Sequence, residues 1–203
     1  RDLHVPADLS SATFFIVAAL ISRQADLVVR DVGLNPTRAA LIEFLTGIGG
    51  QIRVLDVRQS GGELLGDLRI RASAVQGGVI AGALTAALID EIPVLAVLGA
   101  MSAEGLTVRD ARELRVKETD RIATVAENCQ RMGVQIEVFE DGFHVPGGQR
   151  FRGAEVHSFG DHRIAMAFAV AGLAADGETA IAEAEAASVS FPEFYATLEA
   201  IAG

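Results

Sequence analysis

Residues 161–173 read Asp-His-Arg-Ile-Ala-Met-Ala-Phe-Ala-Val-Ala-Gly-Leu, a polar start followed by a run with almost no polar residue. The carboxylate of Asp161 stands where it can accept hydrogen bonds from the free amides of a first helical turn, so the pattern predicts an N-cap. Similar starts occur at Asp8 and Asp90. The apolar runs that follow the three starts are residues 12–21, 92–101 and 164–173. Helices that are apolar on every side are buried, and the sequence therefore predicts three buried helices.

The same order of elements follows each buried helix. The predicted strands are 26–31, 105–110 and 177–182, and the amphipathic helices after them are 36–48, 117–132 and 191–201. Further strands at 51–56 and 135–139 share the pattern Gly-x-Gln-Ile-x-Val. This recurrence predicts internal repeats of about 3–71, 72–150 and 151–203 within a single globular domain. The fold class that we expect is α/β, with buried parallel helices, outer sheets and the helix N-termini on one anion-attracting side.

The composition excludes several classes of function. The 203 residues carry a formal charge of −10, a mean hydropathy of +0.35, 5% aromatic residues and no Trp. An acidic chain with few aromatic rings is not expected to bind nucleic acid. The apolar runs are shorter than the roughly 18 residues that span a bilayer, and no signal peptide is visible, so we expect no membrane partner and a cytoplasmic location. Because the chain opens with Arg1 rather than Met, we expect a processed or excised piece.

The richest segment for chemistry is Glu113–Arg121, which reads Glu-Leu-Arg-Val-Lys-Glu-Thr-Asp-Arg. Lys117 and Arg121 are four residues apart, so on the predicted helix they share a face, with Glu118 between them. Such cations suit a phosphorylated acid, and the carboxylate suits proton transfer. The alternative is a solvated, salt-bridged helix start. Lys117 is the only lysine of the chain, beside sixteen arginines, which weakens the case for that structural alternative.

Two further candidate positions lie at predicted helix starts. His162 and Arg163 open an otherwise apolar helix, where anions are attracted, whereas Asp161 is expected to be only a cap. Asp90 precedes an apolar run that has Pro93 in its first turn. An acid among apolar residues suits either a helix cap or a catalytic group, and both interpretations stay open.

The remaining histidines and the cysteine suggest no metal site. His4, His144 and His157 have no carboxylate or cysteine at metal-ligand spacing, so we predict no metal. Cys129 is the only cysteine, which excludes an internal disulfide, and it lies on a predicted amphipathic helix. We expect it to be a packed side chain rather than a nucleophile.

Four segments stand out in chain order: Ile89-Asp-Glu-Ile-Pro93, Leu114-Arg-Val-Lys-Glu-Thr-Asp-Arg121, Gly160-Asp-His-Arg-Ile-Ala-Met166 and Val189-Ser-Phe-Pro-Glu-Phe194. Together they resemble one known family, the 5-enolpyruvylshikimate-3-phosphate synthases, to which residues 5–12 are also similar. The resemblance covers essentially the whole chain, but only the C-terminal half of a full-length synthase. It implies a fold of βαβαββ units, in which two similar globular halves hold the substrates between them.

The resemblance also implies an activity. The family transfers the enolpyruvyl group of phosphoenolpyruvate to the 5-hydroxyl of shikimate 3-phosphate and releases phosphate, without a metal or an organic cofactor. By this resemblance, Asp90 contacts the shikimate hydroxyls and serves as the base. Lys117 bridges both substrates and shares in proton transfer, and Glu118 is the acid-base partner near the methylene carbon. Arg121 and Arg163 hold the carboxylate or phosphate of phosphoenolpyruvate. His162 lies beside them.

The sequence departs from the family in two ways. Some members have a lysine shortly before the last Phe-Pro, where this chain has Val189 and Ser190. The N-terminal half of the family, which supplies the remaining contacts to both substrates, is not in this sequence, and we expect the chain to need that half as a partner and to be nearly inactive alone. Two alternatives stay open at this point. One is an enolpyruvyl transferase with another acceptor, and the other is a non-catalytic binding or assembly half.

Overall fold

The computed structural model describes residues 7–35 and 39–202. The chain divides into two compact units, Arg1–Val75 and Gln76–Gly203. The boundary between the units falls close to the end of the first predicted repeat, and the threefold division into repeats stays a prediction. His4, the start of the motif at 5–12 and the first residues of the predicted helix 36–48 lie outside the described residues.

The first unit combines two helices with one antiparallel sheet. Its elements are α1 (Leu9–Ile21), β1 (Asp26–Gly33), α2 (Ala39–Gly47), β2 (Gln51–Ser60) and β3 (Glu63–Arg71). The sheet has the order β1-β3-β2, with α1 packed on it. Oδ2 of Asp8 accepts a hydrogen bond of 2.9 Å from the Ser11 amide, which confirms the predicted N-cap of α1.

The second unit contains the segments that carry the candidate site. Its helices are α3 (Ala83–Ala87), α4 (Ile92–Met101), α5 (Arg121–Arg131), α6 (His162–Leu173) and α7 (Phe194–Ala202), with 3-10 helices at Arg112–Val116 and Ala184–Val189. Its strands are β4 (Gly78–Ile80), β5 (Gly105–Val108), β6 (Glu137–Phe139), β7 (Gly142–Pro146), β8 (Glu155–His157) and β9 (Ala180–Ala182). One mixed sheet has the order β4-β5-β7-β6, and β8 pairs with β9 in parallel.

The predicted buried helices are confirmed. Helices α1, α4 and α6 are buried along most of their length, and within the second unit α4 packs directly on α6. A Cβ added to Gly99 of α4 would lie 2.4 Å from Cβ of Leu106 in β5, so this glycine permits the close approach of helix and strand. The starts of α4 and α6 lie together, because Nη1 of Arg163 donates a 2.8 Å hydrogen bond to the Asp90 carbonyl. A shared side for all three helices stays a prediction, since α1 belongs to the other unit.

The predicted N-cap at Asp90 is wrong. The Leu88 carbonyl accepts hydrogen bonds from the amides of both Glu91 and Ile92, at 2.9 and 3.1 Å. The chain therefore turns through Asp90, and α4 begins only after Glu91, which occupies the N-cap position. This turn releases the Asp90 carboxylate from capping and leaves it to face other segments of the second unit.

The predicted helix 117–132 is wrong at its start. Oδ1 of Asp120 accepts a 3.0 Å hydrogen bond from the Ala123 amide, and this cap makes α5 begin at Arg121. Lys117 instead ends the 3-10 helix Arg112–Val116 in an extended conformation. Lys117 and Arg121 therefore do not share a helix face, and their proximity needs another explanation. Several predicted strands are also shorter than expected: β5, β6 and β9 keep only parts of 105–110, 135–139 and 177–182.

No helix in the described parts of the chain, 7–35 and 39–202, has the length and apolar character needed to cross a membrane.

Candidate active site

Arg121, the first residue of α5, is the centre of the candidate site. Its side chain is 1% exposed, and its guanidinium contacts three carboxylates. Nε and Nη2 donate to the two oxygens of Asp161 at 2.8 and 3.2 Å. Nη2 also donates to Glu118 at 2.6 Å, and Nη1 donates to Asp90 at 3.2 Å. Segments from three parts of the second unit therefore meet at one buried cation.

Asp161 does more than cap α6. It accepts a 2.9 Å hydrogen bond from the Arg163 amide, which confirms the predicted N-cap, and a 3.1 Å bond from the Thr119 hydroxyl. Its side chain is fully buried. Burial alone would raise the pKa of Asp161, but the hydrogen bonds and charge of Arg121, with those two donors, outweigh it and lower the pKa below its ordinary value. The expectation that Asp161 is only a cap is therefore wrong, because its carboxylate is also the buried counterion of Arg121.

Lys117 is held between two acids. Its Nζ lies 2.6 Å from Oε1 of Glu113 and 3.7 Å from Oδ1 of Asp90. The hydrogen bond that Lys117 donates to Glu113 raises the pKa of Lys117, partial burial opposes this, the charge of Asp90 supports it and the charge of Arg121 works against it. The net pKa is raised, so the ammonium is charged at neutral pH. Sequence reasoning missed Glu113 as a partner, although its spacing of four residues from Lys117 is the signal that could have found it.

Arg163 and His162 form the first turn of α6. Besides its bond to the Asp90 carbonyl, Arg163 has the carboxylates of Glu91 and Asp90 at 3.9 and 4.0 Å, beyond hydrogen-bond distance. Burial lowers the pKa of His162, and the negative charge of Asp161 only partly opposes it. His162 is therefore neutral at pH 7 and offers one N–H donor, next to a guanidinium and a helix N-terminus that both attract anions.

Five of the six predicted site residues thus belong to one network of contacts, and His162 adjoins it along the chain. The five are Asp90, Lys117, Glu118, Arg121 and Arg163. Their proximity comes from Asp90, whose Oδ1 faces both Lys117 and Arg121, rather than from a shared helix face. The arrangement places acids and cations side by side, as proton transfer on an anionic substrate requires.

Among the residues that the structure describes, His144, His157 and Cys129 take no part in this network. Cys129 is buried in α5, and burial raises its pKa to about 12, which confirms the prediction of a packed thiol. Within residues 7–35 and 39–202, no group of three or more His, Cys, Asp and Glu side chains is arranged to hold a metal ion.

Comparison with known proteins gives the family. The family model described as EPSP synthase (3-phosphoshikimate 1-carboxyvinyltransferase) matches residues 1–198. The chain belongs to the EPSP synthase family. A relative from Solibacter usitatus named 3-phosphoshikimate 1-carboxyvinyltransferase is 64% identical over 202 residues, covering the whole chain and 47% of that protein. A relative of the same name from Geotalea uraniireducens is 50% identical and is likewise covered to 47%. The chain thus spans about half the length of the EPSP synthase relatives that it matches.

Solved structures confirm the predicted α/β fold of the enolpyruvate-transferase type. An EPSP synthase from Acinetobacter baumannii superposes with a TM-score of 0.92 at 38% identity, covering 98% of this chain and 46% of that one. The enolpyruvyl transferase NikO from Streptomyces tendae superposes with a TM-score of 0.75 at 19% identity, which shows a shared fold alone.

Proposed function

We propose that the chain supplies one half of the active site of a 3-phosphoshikimate 1-carboxyvinyltransferase. The reaction would transfer the enolpyruvyl group of phosphoenolpyruvate to the 5-hydroxyl of shikimate 3-phosphate and release phosphate. The observation that carries the proposal is the position of Asp90, 3.7 Å from the ammonium of Lys117 and 3.2 Å from the buried guanidinium of Arg121. The names of the full-length relatives support this pair of substrates. The expected cytoplasmic location belongs to the same proposal and stays a prediction.

The proposed chemistry is an addition followed by an elimination. The hydroxyl oxygen attacks C2 of phosphoenolpyruvate, the hydroxyl proton leaves, and the methylene carbon gains a proton. In the second step the new methyl group loses a proton while the bond between C2 and the phosphate oxygen breaks, which gives the enol ether and phosphate. Asp90 is the proposed base for the hydroxyl. Lys117, held charged beside it, is the proposed partner in proton transfer.

Glu118 is the proposed group that exchanges a proton with the methylene carbon. Its carboxylate is half-exposed and lies 2.6 Å from Nη2 of Arg121. This hydrogen bond fixes the direction of the Glu118 carboxylate when substrates are absent. An incoming substrate anion competes with Glu118 for Arg121.

Arg163 and His162 are the proposed contacts to the anionic groups of phosphoenolpyruvate. Arg163 presents its guanidinium at the N-terminus of α6, where the helix dipole adds to its charge. Val189 and Ser190 stand where some family members have a lysine, so that contact is not available from this segment. In this chain the proposed anion binding therefore rests on Arg163 and the other cations of the network.

Reconstitution tests the proposal. The chain is mixed with a separately produced N-terminal half of the Solibacter usitatus relative, and phosphate release from the two substrates is followed together with complex formation. We expect release only when both halves and both substrates are present. The chain spans only about half of the relatives' length, and the other half is needed to enclose the substrates. Turnover by the chain alone at the rate of the mixture would contradict the half-site proposal.

The same mixture separates the two alternatives. A complex of the two halves without turnover would indicate an assembly role. Turnover of phosphoenolpyruvate with a different hydroxyl compound, but not with shikimate 3-phosphate, would indicate another acceptor. Either result would overturn the proposed function.

A further inference from the structure

One arginine outside the network of acids and cations fastens the segment that carries Lys117 and Glu118. Arg115 lies in the last turn of the 3-10 helix Arg112–Val116. Its Nη1 donates a 2.7 Å hydrogen bond to Oδ2 of Asp120, five residues later. Its Nε and Nη2 donate to the carbonyl oxygens of Glu140 and Phe139 at 2.8 and 2.7 Å. One guanidinium therefore donates three short hydrogen bonds to three different acceptors.

These bonds hold segment 115–120, which carries Lys117 and Glu118, at both of its ends. Oδ2 of Asp120 binds Arg115, and Oδ1 of the same carboxylate caps α5 through the Ala123 amide at 3.0 Å. The 3-10 helix and the start of α5 are thereby joined across residues 116–119. The two carbonyls lie at the turn between β6 and β7, so the closed segment is also attached to the edge of the mixed sheet.

Apart from the bonds that Lys117, Glu118 and Thr119 make to other side chains, the segment has little apolar packing to hold its backbone. Val116 is 81% exposed, and Lys117 follows it in an extended conformation outside any helix. Without the three hydrogen bonds of Arg115, the backbone that carries Lys117 and Glu118 would sample several conformations. Ordering it in advance avoids that entropic cost when the substrates bind.

We propose that Arg115 is a positioning residue, which holds Lys117 and Glu118 against Asp90 and Arg121 by fastening segment 115–120 to the turn between β6 and β7. Arginine suits this role because its planar fork of N–H groups reaches three acceptors at once, which the point charge of a lysine does not do. The catalytic consequence of the proposal rests on the proposed function, whereas the positioning itself does not.

A control position lies one turn away. Nη2 of Arg112 is 2.6 Å from Oε1 of Glu140, so this arginine joins the same 3-10 helix to the same turn. Both side chains of that pair are largely exposed, at 70% and 80%, and the pair does not involve Asp120. Removing Arg112 changes the charge by the same amount as removing Arg115, but leaves the closure of the segment intact.

The single lysine makes a direct test possible. Labelling lysine with ¹³C at Cε gives one side-chain NMR signal from the whole chain, and its shift with rising pH reports the titration of Lys117. The charged groups that face this ammonium are Glu113, Asp90 and Arg121. In the unmodified chain we expect the midpoint above the ordinary lysine value. Arg115→Gln should move it back toward that value, whereas Arg112→Gln should leave it in place. An unchanged midpoint in Arg115→Gln, or equal shifts in both variants, would overturn the proposal.

A second variant covers the case in which Arg115→Gln does not fold. Asp120→Asn keeps an oxygen that can cap α5 but removes the charged partner of Arg115, so it should move the midpoint in the same direction. No movement in a folded Asp120→Asn chain would likewise overturn the proposal.

The reconstituted enzyme then tests the catalytic consequence. There Arg115→Gln should lower kcat by about 100-fold, the effect typical of a misplaced catalytic group, with a smaller change in KM. Equal kcat values for Arg115→Gln and Arg112→Gln would contradict a catalytic effect. Absence of activity with the unmodified chain would count against the proposed function, and the titration would still decide the role of Arg115.

Discussion

At the scale of single residues, the pairing of Arg121 with Asp161 is the most consequential contact of the candidate site. Both side chains are buried, and their geometry is bidentate. A buried guanidinium without a counterion is costly, whereas a paired one holds its neighbours in fixed directions. Because Glu118 and Asp90 bind the same guanidinium, the Asp161 carboxylate determines how two proposed catalytic acids are oriented.

The first prediction concerns the loss of this counterion. Asp161→Asn should lower the free energy of unfolding by about 3–5 kcal/mol, because it leaves the charge of Arg121 buried with weaker partners. Urea denaturation followed by circular dichroism measures the change. Glu127→Gln is the matched control, since it breaks an exposed ion pair with Arg131 on the same helix and should cost less than about 1 kcal/mol. Equal losses in the two variants would contradict the buried-pair account.

The second prediction follows from the lowered pKa of Asp161. A carboxyl group with a lowered pKa in the folded state stabilises the fold fully above its unfolded pKa of about 3.9, and this contribution disappears as pH falls through the lower native value. The stability difference between the unmodified chain and Asp161→Asn should therefore be constant near neutral pH and shrink below about pH 4. Urea midpoints of both proteins over a pH series provide the measurement. A difference that grows on acidification would contradict the assigned direction.

The third prediction concerns Cys129. Burial raises its pKa to about 12, so the thiol should not react with a thiol-specific reagent in the folded chain at pH 8, where an exposed cysteine is partly ionised. Unfolding in urea should expose it and allow one equivalent of reagent to react. Full reaction under native conditions, as fast as in urea, would show that this face of α5 is open.

At the scale of elements, the packing of α4 on β5 depends on Gly99. The fourth prediction is that Gly99→Ala destabilises the chain by about 1–3 kcal/mol, the usual cost of overpacking, because its Cβ would lie 2.4 Å from Cβ of Leu106. Gly47→Ala in α2 is the matched control. It meets no atom within 4 Å and should be neutral or slightly stabilising, since alanine favours a helix. Thermal unfolding of both variants measures the change in stability. A Gly99→Ala variant that is more stable than the unmodified chain would contradict the close packing of α4 on β5.

The elements that the sequence predicted well are those whose burial determines their form. The apolar runs of α1, α4 and α6 leave no polar face, and such segments can only be packed inside. The start of α5 was not predictable in the same way, because Lys117, Glu118 and Thr119 are all compatible with a helix. Its position is decided by Asp120, which caps the helix while it binds Arg115. The short elements α3, β4 and β8 were missed because a few residues carry no periodic signal, and β3 and β7 were not among the predicted strands either.

At the scale of the whole molecule, the site brings together segments that are far apart in the sequence. The motifs identified its candidate residues, and the resemblance supplied their expected roles. Their partners did not follow from spacing, because the contact between Arg121 and Asp161 joins residues 40 positions apart and arises from packing. Glu113 and Arg115 were inside the quoted motif, but only the path of the chain shows what each one contacts.

The net charge of the chain and the local charge at the candidate site differ. The net charge of −10 disfavours anionic ligands at long range. At the candidate site, however, three cations surround the Asp90 carboxylate at 3.2–4.0 Å, namely Lys117, Arg121 and Arg163. The N-terminus of α6 lies beside them. Under the proposed function, these local cations and the N-terminus of α6 bind the phosphate and carboxylate groups of the substrates.

Lys117 is proposed to serve in proton transfer as part of half an active site, and Lys117→Arg in the reconstituted enzyme separates this role from that of a positive charge alone. Arginine keeps the positive charge beside Asp90 but does not give up a proton at neutral pH. Arg131→Gln, an exposed change on α5, is the control. If the claim is right, phosphate release falls by at least about 100-fold in Lys117→Arg while the two halves still associate. A rate equal to that of the unmodified chain would contradict it.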